Sequence, residues 1–178
     1  MFWRKFILSA AILTAASSAV QASEFGRPAS PEEIELWDID VRPDGQGLPA
    51  GAGTVAQGKV IFEQKCAACH GEGGQGGIKD RLVGGQGTLA SARPVKTVGS
   101  FWPYATTLFD YIRRAMPYPA PGSLKSDETY AVTAYILDLN GIMPANATLS
   151  KDNLAQVRMP NREGFVPEVT YTNIRNSR

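Results

Sequence analysis

The chain of 178 residues has only two cysteines and a single histidine. Two cysteines exclude a disulfide-dense scaffold, and a lone histidine with a lone cysteine pair falls short of the four ligands of a structural zinc site. Charge of either sign is nearly balanced, 18 Lys and Arg against 17 Asp and Glu. That excludes the basic footprint of a nucleic-acid-binding protein. No internal repeat is present, and beyond the N-terminus no apolar run approaches the roughly 20 residues that a membrane-spanning helix needs. A length of this size suits one compact domain with some chain to spare.

The N-terminus does carry a short apolar run. Met1 to Lys5 is positively charged, Phe6 to Val20 is apolar with small residues, and Val20-Gln21-Ala22 has the small-x-small pattern of a cleavage site. Residues 1–22 are therefore expected to be a signal peptide, with the mature chain exported to the periplasm and free of a membrane span. Loss of Arg4 and Lys5 would leave 16 basic against 17 acidic residues, a net charge of −1.

Export decides how the cysteines are read. Cys66 and Cys69 lie three apart and His70 follows at once, in the string Cys-Ala-Ala-Cys-His. In a helical turn, residues three apart present their sulfurs on one face, where both can form thioethers with porphyrin vinyl groups, and the next histidine falls beneath the iron. The string thus predicts one covalently attached haem c. A thioredoxin-type pair would sit between a strand and a helix, whereas Thr54 to Lys65 reads as a helix leading into a Gly-rich loop.

The sixth iron ligand follows by elimination. With His70 the only histidine and both cysteines used for attachment, methionine is left as donor. Met116-Pro117, just after a helix, resembles the ligand-bearing Met-Pro loop of class I cytochromes c, and that likeness implies Met116 as the favoured ligand; Met159-Pro160 is the rival, and Met143 reads as surface or packing. A histidine and methionine pair saturates the iron and suits one-electron transfer rather than catalysis at the haem.

Periodicity gives a mainly α chain. Thr54 caps a helix through Lys65, with Val55, Ile61 and Phe62 inward. Gly71 to Gly87 is a Gly-rich loop able to approach the porphyrin. Ala105 to Ala115 is a second helix, with Leu108, Tyr111 and Ile112 at helical spacing. Ser126 caps a third through Leu139, stopped at Asn140-Gly141, and a helical turn is expected near Asp152 to Val157. The boundaries expected are an N-terminal arm over 23–53 with Ile34, Leu36 and Trp37 as apolar anchors, a core over 54–143, and a C-terminal extension over 144–178.

Gly58, Phe62, the Cys-Ala-Ala-Cys-His string, the Met-Pro loop and a final helix carrying Tyr135 resemble class I cytochromes c. That likeness implies first and last helices crossing over a small residue. Trp37-Asp38-Ile39-Asp40-Val41, Pro43-Asp44-Gly45, Arg93 to Tyr104 and Met159-Pro160-Asn161-Arg162 are further similar to the cytochrome subunits of periplasmic molybdenum sulfite and sulfane dehydrogenases. This narrower likeness implies a molybdopterin dehydrogenase subunit as partner, with a downstream cytochrome c or oxidase. It also implies Arg93, Lys96, Trp102 and Tyr104 as neighbours of the haem propionates. One departure from the class I pattern is the lack of a proline in Gly71 to Gly77. The carbonyl that would orient His70 is thus left open. Three functions remain: an electron-accepting subunit of a sulfur-compound dehydrogenase, a free carrier between respiratory complexes, and a haem enzyme.

Overall fold

A computed structural model describes residues 26–165; residues 1–22, expected to be a signal peptide, and Tyr171 lie outside them. The chain divides into two units, 1–37 and 38–178. The described part of the first unit is one short helix, α1 (Pro31–Glu35), which buries none of its residues. Ser30 caps it, and Pro31 occupies the first turn, where its missing N–H costs nothing. The Glu33 carboxylate accepts from Ser30 N at 2.9 Å and pairs with Arg27 at 2.5 Å.

The second unit is helical. Strand β1 (Ala52–Thr54) runs into α2 (Val55–Lys65), then a single turn, α3 (Ala67–His70). Two longer helices follow, α4 (Ala105–Ala115) and α5 (Ser126–Leu139), and the described chain closes with β2 (Thr148–Ser150) and a 3-10 turn (Leu154–Gln156). Thr54 caps α2, as the sequence suggests, and the structure adds a reciprocal bond from Thr54 N to the Gln57 side chain. At α5 the cap shifts by one residue. Ser126 is the first helical residue, and the Glu128 carboxylate reaches back to Lys125 N at 2.8 Å. The physical reason is that a glutamate three residues into a helix can satisfy the flanking N–H by itself.

Helices α2 and α5 cross at Gly58, where any Cβ would collide with the carbonyl oxygen of Ala131. Beside the crossing, Phe62 and Tyr135 meet edge to face at 5.4 Å between ring centroids. The core beneath joins Phe62, Phe109, Tyr130, Leu137, Leu149, Leu154 and Met159, all fully buried. Truncating one of the aromatic residues there would cost about 3–5 kcal/mol.

Within the second unit, residues 38–53 of the expected N-terminal arm and the described part of the C-terminal extension lie along the helical core. Val41 and Leu48 are buried core residues, and Tyr130 donates its hydroxyl to Pro49 O at 2.8 Å. The backbone of Val41 donates to the Asp110 carboxylate at 3.1 Å, and Arg113 donates to Ile39 O at 3.1 Å. Asp110, itself buried, is also paired with Arg114 one turn on. From the other side, β2 pairs antiparallel with β1, Gly53 opposite Leu149. The two extensions therefore hold each other as well as the helices. Few apolar residues suffice for this because the anchoring is largely through backbone hydrogen bonds.

Candidate functional site

The helical turn α3 forms because chain leaving α2 does not stop but winds once more. Cys69 N and His70 N both donate to Cys66 O at 3.0 Å, and Gly71 N donates to Ala67 O at 2.8 Å. Cys66 and Cys69 are thereby a turn apart and both half-buried, with no disulfide between them. Burial pushes the Cys66 thiol up to about 11, against a partial opposing pull from Lys65. Before any attachment such a cysteine is a thiol at neutral pH, the reverse of the thiolate that a disulfide-exchanging Cys-x-x-Cys needs.

The loop after the turn folds back onto it. Gly71 reverses the chain at a φ of 82°, a conformation that favours glycine. Gly76 N then donates to His70 O at 2.8 Å and Lys79 N to Cys69 O at 2.9 Å. This return brings the carbonyl of Asp80 to 2.7 Å from His70 Nδ1. A carbonyl can only accept, so Nδ1 carries the proton and Nε2 keeps a free lone pair. Asp80 O does the work that a proline carbonyl was not available to do. Nothing in the sequence marks it, because every residue has a carbonyl.

The donor set therefore fits haem c: two thiols on one face of a turn, and a histidine whose outer nitrogen is fixed by a backbone acceptor so that the other can bind iron.

The remaining sequence-named residues fall in two groups. Met116 ends α4 as its C-cap, donating its N–H to Ile112 O at 3.1 Å, and its half-buried side chain packs against the core. Met159 is enclosed, 1% exposed, and Met143 is half-buried against the same core. Trp102 and Tyr104 are half-buried at the entry to α4, where Trp102 meets Tyr111 edge to face at 5.8 Å and Arg162 covers the Tyr104 ring at 4.4 Å. Arg93 is exposed, and Lys96 lies 4.9 Å above the Phe101 ring. The C-terminal string reinforces this corner, since Asn161 Nδ2 donates to Phe101 O at 2.7 Å.

Asn140 was legible only as a helix stop. It is buried, and its side chain donates to Ile136 O at 2.8 Å and Leu82 O at 3.2 Å while accepting from Gly84 N at 3.3 Å.

Comparison with known proteins agrees with this geometry. Residues 55–140 match the family model described as cytochrome c. The crystal structure of the sulfane dehydrogenase SoxCD from Paracoccus pantotrophus contains a chain 44% identical, with a TM-score of 0.78, over 85% of this chain and 77% of that one. The chain is also 33% identical over 101 residues to the cbb3-type cytochrome c oxidase subunit CcoP of Azospirillum sp. (strain B510), across 53% of this chain and 32% of that protein. It is 30% identical over 112 residues to the thiosulfate dehydrogenase of Stutzerimonas stutzeri (strain A1501), across 56% of this chain and 35% of that protein. The chain thus spans about a third of the length of these two curated relatives. Among the described residues no helix is long and apolar enough to cross a membrane.

Proposed function

The chain belongs to the cytochrome c family, and from that premise we propose that it is a periplasmic monohaem carrier that takes electrons one at a time from a molybdenum-dependent sulfite or sulfane dehydrogenase and passes them to a downstream cytochrome or oxidase. The observation that carries this reading is the 44% identity, over 85% of the chain, to a chain of a sulfane dehydrogenase crystal structure.

When bound, haem c supplies a ferric/ferrous couple that gains and loses one electron. Cys66 and Cys69 hold it covalently. His70 presents Nε2 to the iron, because Nδ1 is committed to Asp80 O at 2.7 Å. The thioether of Met116 would be the other protein ligand to the iron, which would leave no place there for oxygen, water or substrate. Burial supports Met116 over Met159: a side chain that must face the haem cannot be enclosed by protein atoms, as Met159 is at 1% exposure. Arg93, Trp102 and Tyr104 meet the propionates in this reading. Catalysis then lies with the dehydrogenase partner, and this chain supplies a rigid, saturated relay.

The test is to mix the ferric protein with a sulfite or sulfane dehydrogenase molybdenum subunit reduced by its own substrate. Haem reduction at a rate that rises and then saturates with the molybdenum subunit is expected. Reduction no faster than by free substrate would transfer the role to that of a general carrier.

A further inference from the structure

The hydrogen bonds around His70 do not end at Asp80. Lys79 N is tied to Cys69 O at 2.9 Å and Leu82 N to Gly74 O at 2.7 Å, so the Asp80 carbonyl sits between two backbone anchors. The second anchor residue is itself held from outside: Leu82 O accepts from Asn140 Nδ2 at 3.2 Å, and Gly84 N donates to Asn140 Oδ1 at 3.3 Å. On the far side, Thr97 Oγ1 donates to Gly84 O at 2.6 Å, and Thr97 N is fixed by Ser100 Oγ at 2.9 Å. Thr97 and Ser100 are both buried. Asn140 has its own reference point, the Ile136 carbonyl of α5 at 2.8 Å. A side chain joined to the core helix at one end and to both ends of Leu82–Gly84 at the other transmits the position of α5 to the loop that supplies the acceptor for His70.

We infer that Asn140 is a positioning residue for the iron-binding histidine, acting through Leu82 and the Asp80 carbonyl to set the strength of the Nδ1–H···O hydrogen bond and with it the reduction potential. The chemistry follows from the donor atom. A strong hydrogen bond from Nδ1 makes the imidazole more basic and favours ferric iron, so a tight Asp80 carbonyl lowers the potential and a loose one raises it. The inference rests on His70 as axial ligand, but not on any particular electron donor.

The experiment compares holoprotein of the wild type with Asn140→Ala and Thr97→Val, the second a nearly isosteric loss of one hydroxyl. Potentiometric titration should show a positive shift in both, larger for Asn140→Ala, while the sulfur-to-iron band of the ferric protein is unchanged. Exchange of the His70 Nδ1 proton followed by NMR should accelerate roughly fivefold or more in Asn140→Ala, as expected for a weakened hydrogen bond. If Asn140→Ala does not fold, the Thr97→Val shift decides. Tyr130→Phe, which loses the hydroxyl bonded to Pro49 at the other end of α5, should lower stability without moving either quantity. Unchanged potential and exchange in the Asn140 and Thr97 variants, or an equal shift in Tyr130→Phe, would overturn the inference. A wild type whose haem lacks histidine ligation would instead overturn the family-based site.

Discussion

The two stretches that carry the proposed iron ligands are built in opposite ways. The His70 side is a turn plus a returning loop, stitched by backbone hydrogen bonds at Gly71, Gly76, Lys79 and Leu82 and braced by Asn140. On the Met116 side the ligand ends a helix, and every residue from 118 to 123 is exposed before Leu124 returns to the core. Two turn hydrogen bonds, Ala120 N to Pro117 O and Ser123 N to Ala120 O, hold that loop. Exposed loops with few backbone anchors open at lower free energy than stitched ones. The contrast teaches that, of the two proposed ligands, His70 is the more firmly held and Met116 the less.

The largest effect should come from striking the fixed side. His70→Ala should reduce covalent haem per chain to background, because the turn then presents thiols with no iron ligand between them, whereas Met116→Ala should keep one haem per chain. Pyridine haemochrome analysis of both purified proteins checks this, and equal haem loss in the two variants would erase the asymmetry.

A change at the shared floor should affect both sides alike. Gly58→Val places a branched side chain against the Ala131 carbonyl, and should destabilise the protein by more than ~2 kcal/mol. Thermal unfolding monitored at the haem and by far-ultraviolet dichroism should shift together, since α2 and α5 support both ligand loops.

The smallest effect is predicted at the start of α5, away from either ligand. The hydrogen bond from Lys125 N, with help from the Lys65 side chain, holds the Glu128 carboxyl below the usual glutamate range. A carboxylate with a depressed folded pKa stabilises fully above the ordinary value of about 4.3 and loses that contribution as pH falls through the folded value. Glu128→Gln should therefore flatten the acid limb of stability, while costing no more than ~1 kcal/mol near neutral pH because the pair is partly exposed. Denaturation midpoints at pH 7 and in the acid range measure both.

The same contrast governs how much could be read from sequence. Cys66, Cys69 and His70 declare themselves because their chemistry requires those side chains at that spacing, and the helices over 55–65 and 105–115 follow from capping and periodicity. Asp80 and Asn140 do not, because one acts through its backbone and the other through a side chain whose role exists only when Leu82 and Gly84 fold against it. The attachment of residues 38–53 was likewise hidden. Asp110 reads as an ordinary polar position on α4 until Val41 N arrives to donate to it. The single turn α3 and the β1–β2 pair are too short for any periodicity to reveal.

The central claim, a haem held by a braced His70 and a less firmly held Met116, is tested most directly by the ferric spectrum of two matched variants. Met116→Ala should abolish the weak long-wavelength sulfur-to-iron band and lower the potential, since a thioether favours ferrous iron. Met159→Ala should retain the band and lose only stability, as expected for a methionine enclosed in the core. Loss of the band in Met159→Ala with its survival in Met116→Ala would contradict the account.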